Sequence, residues 1–156
     1  MTELRLAGPE DAPAVHALLA ALVAHEGGDR VGSLESLLRY GFGERPLFRA
    51  ILAEDAGQTQ GLVLFYPDYS TVRGEAGVFV QDLFVAEGQR GRGLGRKLLA
   101  AARDHAGAEW DARYLTLSVS PDNRGARSAY DAMGFRPRGY QFLILDGGAL
   151  AALEAA

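Results

Sequence analysis

The chain has no cysteine, one tryptophan, two methionines and three histidines. Without cysteine there is no disulfide, no thiolate metal site and no cysteine nucleophile. His16, His25 and His105 show no metal-ligand spacing; they are expected at surface or cap positions, and no metal site is expected. No apolar run approaches the roughly 20 residues needed to cross a bilayer. The opening Met1-Thr2-Glu3-Leu4-Arg5 lacks the apolar stretch of a signal peptide. Excess charge is also scarce. A formal net charge of -4 argues weakly against nucleic acid as a partner and mildly for a cationic substrate. The expectation is a soluble cytoplasmic protein with neither membrane nor nucleic acid as a partner.

What is present suits one domain spanning 1–156, with 48% apolar residues to build a core. No linker or repeat interrupts it. Leu4 to Ala7 predicts a short strand. Pro9-Glu10-Asp11-Ala12 opens a helix, with acids near its positive end. Val15, Leu18, Leu19, Leu22 and Val23 recur at helical spacing, and Gly27-Gly28 stops the helix. A shorter helix is expected over Leu34 to Tyr40. Phe48 to Glu54 and Gly61 to Tyr66 predict two strands, with Asp68 to Gly77 as a long turn or loop. Val78 to Val85 is nearly continuous in apolar residues, which suits a strand buried on both faces. A helix follows, with Leu94, Leu98, Leu99 and Ala102 on one face. Tyr114 to Val119 predicts a strand, Asn123 to Met133 a helix ended by Gly134, Gln141 to Leu145 a last strand, and Ala149 to Ala156 a helix. Trp110 is expected just after its helix, as packing. The order predicts an α/β (α+β) fold with a central mixed sheet.

The chemistry concentrates in Gln89-Arg90-Gly91-Arg92-Gly93-Leu94-Gly95-Arg96, between the buried strand and a helix. Glycine lets backbone approach a ligand closely and take positive φ. The unpaired amides of a first helical turn favour an anion, and Arg90, Arg92 and Arg96 add positive charge. The loop lacks the Gly-Lys-Ser/Thr of a P-loop. It also fails the Rossmann count, because the third glycine expected after Gly91 and Gly93 is Arg96. It fits Gln/Arg-x-x-Gly-x-Gly, read as Arg90, Gly93 and Gly95. Asn123 and Tyr130 follow on the next helix, with Gly134-Phe135 after them.

With the strand before it, this loop resembles the signature of the GCN5-related N-acetyltransferases (GNAT). Gly41-Phe42-Gly43-Glu44-Arg45-Pro46, Leu64-Phe65-Tyr66, Tyr69-Ser70-Thr71 and Gln81-Asp82-Leu83-Phe84-Val85 look like the diamine (spermidine/spermine) and thialysine acetyltransferase branch. The resemblance covers nearly the whole chain. It implies a mostly antiparallel central sheet, splayed at the cofactor site and flanked by helices. It also implies acetyl-CoA as co-substrate, a small-molecule amine as acceptor, and a homodimer that exchanges C-terminal segments.

The roles it implies can be assigned residue by residue. Leu83, Phe84 and Val85 offer backbone groups to the pantetheine arm. Arg90 through Gly91, Arg92, Gly93, Leu94, Gly95 and Arg96 hold the pyrophosphate. Asn123 to Ala126 flank the cofactor's other side, and Tyr130 matches the usual proton donor. A free amine attacks the thioester directly, so no enzyme nucleophile is needed. A base must take the ammonium proton; Asp82, Glu26 or a water chain are candidates, with Asp82 first. Each residue also has a plainer role open to it. Asp82 suits a structural acceptor, Tyr130 packing and Asn123 helix capping. The branch carries a glutamate where Gln81 stands, and an acid and a tryptophan where Arg138 and Tyr140 stand. Spermidine and spermine are therefore not expected as best substrates, and Glu26 remains as an amine contact. A protein or peptide acetyltransferase and a non-catalytic acyl-CoA sensor are the alternatives.

Overall fold

Side chains alternate along a strand, so each strand must satisfy two faces at once. The computed structural model describes residues 1–154. Five strands form one open sheet in chain order: β1 (Glu3–Leu6), β2 (Arg49–Asp55), β3 (Gln58–Ser70), β4 (Glu75–Val85) and β5 (Leu115–Leu117). All neighbours are antiparallel except β4 and β5, which run parallel. This is the mixed, mostly antiparallel sheet that the sequence predicts. The residues group into two compact units: Met1–Ser118, which holds the sheet and three helices, and a second from Val119 onward.

The three helices of the first unit are α1 (Ala12–His25), α2 (Leu34–Phe42) and α3 (Leu94–Trp110). On one sheet face, Leu52, Leu62, Leu64 and Phe84 pack with Val15, Leu18, Leu19 and Leu22 of α1 and Leu37 of α2. On the other, Val63, Phe65 and Val80 are buried, as are Leu94, Leu98, Leu99, Ala102 and Ala106 of α3. Gly61 marks how closely α3 approaches. A Cβ there would sit 3.0 Å from Leu98 Cδ1. Trp110 is the last residue of α3 rather than a residue beyond it, and its ring meets Phe65 edge-on at 6.1 Å.

The second unit contains α4 (Arg124–Met133) and α5 (Gly147–Ala151). No helix among the described residues is long and apolar enough to cross a membrane.

Three further sequence expectations need correction. Asp68 to Gly77 is not a loop: β3 runs to Ser70 and β4 starts at Glu75, with Gly74 at φ 65 in the tight turn between them. Pro67 hid the strand, yet it lies beyond the last β2 pair, Arg49↔Phe65, where a missing N–H is tolerated. Gln141 to Leu145 forms no strand. Its apolar and β-branched composition favours extension, but a strand needs a ladder partner, and none of the described strands pairs with it. The Ala-rich tail is helical only over Gly147–Ala151, and Ala155 and Ala156 lie outside the described residues.

An ion-pair network ties β1 to its surroundings. The Arg5 guanidinium donates to both carboxylate oxygens of Asp11 at 2.7 Å and to Glu54 at 2.8 Å, and the Gly8 amide donates to Asp11 at 2.8 Å. Asp11 is 9% exposed. The Arg5 hydrogen bonds outweigh burial and hold its carboxyl below the usual range. A depressed carboxyl contributes stability above its unfolded value, and that contribution is lost as pH falls through the folded value. Asp11→Ala is therefore expected to lower unfolding free energy by about 1–3 kcal/mol at pH 7 in urea titrations. The gap from wild type should narrow below pH ~4.

Candidate functional site: a bulged strand beside a glycine loop

The site begins with one extra residue. Along β3 and β4, Leu64 pairs with Asp82 and Phe65 with Val80, so Gln81 has no partner of its own. A β-bulge of this kind shifts the alternation by one. Val80 therefore faces α3 together with Phe65, whereas Asp82 joins Leu64 on the face covered by α1. Without the bulge, Val80 and Asp82 would share a face.

That shift brings acids together. Asp82 is half-buried, and its carboxyl is pushed up to about 6, first by burial and then by the charge of Glu26 at the end of α1. The Tyr66 ring stacks on Phe79 with centroids 5.2 Å apart. The Tyr66 hydroxyl donates to Gln81 Oε1 at 3.1 Å. Burial, then Asp68 and Asp82, raise the Tyr66 hydroxyl above its ordinary range. Asp68 in turn accepts from the Tyr114 hydroxyl at 2.9 Å. Gly77 makes room for that tyrosine, because a Cβ there would collide with its ring.

The same strand has a backbone edge to offer. β5 pairs with β4 only from Val78 to Val80, so Gln81–Val85 continue past the last rung on that side. The Ala86 amide donates to the Gln60 carbonyl at 2.8 Å, and peptide groups alternate in direction along a strand. The Phe84 peptide groups thus point at β3, and those of Leu83 and Val85 point away from it. Two contacts agree. The Phe84 carbonyl lies against Gly61 of β3, and the Val85 carbonyl accepts from Arg90 Nε at 2.9 Å. Of the three residues expected to offer backbone, Leu83 and Val85 face this edge. Phe84 instead buries its ring below the Arg90 guanidinium, 5.8 Å from the centroid.

The glycine loop follows directly. After a 3-10 turn over Glu87–Gln89, Gly91 and Gly93 take φ 74 and 82, and α3 starts at Leu94. Gly93 caps the helix and has no side chain, so no side-chain oxygen occupies the first-turn amides. Gly95 lies against Leu83 and Val85. The amide-lined helix start is thereby set beside the edge of β4. Arg92 and Arg96 are exposed and make no ion pair among the described residues, whereas Arg90 is committed to Val85. An uncapped helix start with two uncommitted arginines suits a phosphate-bearing ligand.

In the second unit, the Asn123 side chain accepts from the Ala126 amide at 3.2 Å and caps α4. Gly134, at φ 96, ends it. The Gly134 amide bonds to the Asp131 carbonyl and the Phe135 amide to that of Tyr130. This crossed pair usually comes with an apolar contact across the helix end. Here that contact is Tyr130 against Phe135, with centroids 5.4 Å apart. Gly134-Phe135 therefore orients the tyrosine ring. Arg138 and Tyr140 are exposed, and the guanidinium lies over the ring at 5.1 Å.

Residues 16–135 match the model of the acetyltransferase (GNAT) family. The chain belongs to that family. It is 39% identical over 85 residues to an uncharacterized N-acetyltransferase, YhfO, of Bacillus subtilis (strain 168), covering 54% of this chain and 56% of that protein. It is 32% identical over 110 residues to the thialysine N-epsilon-acetyltransferase of Bos taurus, covering 65% and 64%. The chain thus spans less than two thirds of the length of these relatives. Among solved structures, an integron cassette protein of V. cholerae superposes with a TM-score of 0.79 at 19% identity, over 96% of this chain and 95% of the other. An aminoglycoside acetyltransferase from an uncultured soil metagenomic sample does so at 0.75 and 19%, over 94% and 99%. At such identities the structural likeness shows the fold.

Sequence reasoning reached this GNAT chain's loop and Asp82 but passed over Tyr66 and Asp68 as site residues. Both sit in or near the segment mistaken for a loop. Knowing where the β4 bulge falls would have set them on the Asp82 face.

Proposed function

We propose that the protein is an acetyl-CoA-dependent N-acetyltransferase acting on a primary amine of a small molecule, diamine-like or amino-acid-like. The observation that carries this reading is Asp82: a half-buried carboxyl, pushed up to about 6, facing a second acid, on the strand whose later residues Leu83 and Val85 lie against a helix start suited to phosphates. The amides of Leu94, Gly95 and Arg96, with Arg92, would hold the pyrophosphate, and the Leu83–Val85 edge would receive the pantetheine arm. By resemblance to the family, Asn123 and Ala126 would also contact the donor. Bound acetyl-CoA supplies a thioester as the acetyl donor.

The chain's own groups then have three tasks. Glu26 and Asp82 attract the acceptor as an ammonium, and Asp82 takes its proton. A carboxylate near 6 is mostly ionised at neutral pH yet is a stronger base than an ordinary aspartate. The freed amine forms the new N–C bond, and an outward amide of β4 stabilises the negative oxygen that develops. The C–S bond breaks, the thiolate takes a proton that the Tyr130 hydroxyl supplies by resemblance to the family, and the second proton on the acylated nitrogen leaves through water to restore that hydroxyl. No acyl-enzyme is needed. A non-catalytic acyl-CoA sensor would keep the loop but has no use for a raised carboxyl.

Acetyl transfer to a panel of small amines, with binding of acetyl-CoA by isothermal titration, tests this reading. No detectable acetyl-CoA binding would sink it. For wild type, kcat/KM should rise with pH through about 6, since the basic form of Asp82 is the active one. Asp82→Asn should lower kcat by on the order of 10²–10⁴-fold and remove that limb. A limb that survives in the variant assigns the base elsewhere. Tyr130→Phe should lower kcat with little change in acetyl-CoA affinity; unchanged activity ends its role as proton donor.

A second copy of the chain is the partner we propose. Phe142, Leu143 and Ile144 are 81%, 91% and 86% exposed, in a run whose composition favours extension. An exposed apolar run outside the described sheet can take up a strand from another chain, and an identical chain offers the same run in return. Light scattering should give a dimer, and Phe142→Asp with Ile144→Lys a monomer. A wild-type monomer at micromolar concentration contradicts the pairing.

A further inference from the structure

The bulge sets two unlike polar side chains side by side on one face of β4. Asp82 carries charge, and Gln81 does not. Gln81 is also held in place. Its Oε1 accepts the Tyr66 hydroxyl at 3.1 Å, and the Tyr66 ring is stacked on Phe79 with 25° between planes. Burial and the charges of Asp68 and Asp82 keep that hydroxyl protonated, so it remains a donor. With its oxygen held by the Tyr66 hydroxyl, Gln81 has its Nε2 group left for a ligand, two N–H donors beside an oxygen that has one lone pair already used. Gln81 is exposed, so these donors are within reach of solvent.

A substrate whose ammonium meets Asp82 and Glu26 brings its neighbouring substituent to Gln81. A second ammonium there would set donor against donor. An oxygen at the same place would receive a hydrogen bond. We propose that Tyr66 and Gln81 form a neutral donor clamp that selects primary amines bearing a hydroxyl, ether or carbonyl oxygen a few bonds from the reacting nitrogen, and disfavours diamines. This rests on the amine-acetyltransferase reading above. Gln81 is then the specificity-determining residue, and Tyr66 a positioning residue that acts through it.

The test compares two probes of equal length, 3-amino-1-propanol and 1,3-diaminopropane, in the full-length protein with saturating acetyl-CoA. Rates are corrected for the free-amine fraction. Wild type should favour the amino alcohol in kcat/KM by about tenfold, the worth of one well-made hydrogen bond. Gln81→Glu turns the donor into an acceptor and should reverse the preference. Tyr66→Phe lets the amide rotate and should bring the ratio toward one, with KM for acetyl-CoA unchanged. In a Gln81→Ala background, Tyr66→Phe should leave the ratio unmoved; a purely structural tyrosine would not show this dependence. Equal use of the two probes by wild type, or a ratio unmoved by Gln81→Glu, overturns the clamp. If acetyl-CoA binds but no amine in the wider panel is acetylated, the amine-transfer reading itself fails and the clamp with it.

Discussion

The extra residue at Gln81 is the constraint on which the rest of the first unit depends. β4 has to serve two layers whose demands conflict. Up to Val80 it packs its apolar side chains on the α3 face opposite Phe65. From Asp82 onward the same parity would put a carboxylate under α3, among Leu94, Leu98 and Ala102. A one-residue slip reverses every later side chain. The bulge makes that slip once and locally. Asp82 then turns toward the α1 side and Glu26, Phe84 fills the α1 core, and Leu83 and Val85 lie against Gly95. The pairing with β5 stops at Val80, immediately before the bulge. One inserted residue thus ends the ladder, aims the acid and sets the strand against the glycine loop.

The glycine loop follows from the same arrangement. A helix packed as closely as α3, with Leu98 against Gly61, needs an abrupt entry from the end of β4. The positive φ values at Gly91 and Gly93 supply it where other residues would be strained. That entry leaves the first-turn amides without a side-chain cap. A helix start without a cap costs stability unless something else takes the amides. Arg90 does not compensate, since it bonds back to Val85 and stiffens the strand end instead. The loop is built for closeness to β4, and the uncapped amides it leaves are a consequence of how it gets there.

Much of this was legible in the residues because the signals are local. Helical spacing in Val15 to Val23 and in Leu94 to Ala102, the glycines of the loop, and the Asn123 and Gly134 caps are set by neighbours within a few positions. What was illegible depends on partners far away in the chain. The bulge shows itself only when β3 is laid beside β4, so Tyr66 was read as the end of a strand and Asp68 as loop. Gln141–Leu145 has strand composition but no described rung to pair with, and composition cannot report that. Asp11 looked like a favourable charge at a helix start; its double hydrogen bond to Arg5 depends on how β1 meets α1. The roles of Tyr130, Arg138 and Tyr140 came from resemblance rather than from pattern.

Asp82 also shows where the fold works against its own stability. Its carboxyl is raised in the folded chain, first by burial and then by Glu26. A raised carboxyl is more easily ionised when unfolded, so its contribution to stability declines as pH rises from about 4 toward 6. Packing alone offers no reason to retain it. An asparagine at position 82 has nearly the same size and would bring no charge toward Glu26. Arg5 shows what this chain does with an acid it keeps for structure: Asp11 is paired, hydrogen-bonded and depressed. Asp82 has opposite treatment, with a like charge for a neighbour and no arginine or lysine in an ion pair with it among the described residues. An acid held in that state is relieved by a cation that arrives from outside. The surplus negative charge beside the β4 edge is therefore the feature on which the proposed ammonium acceptor rests.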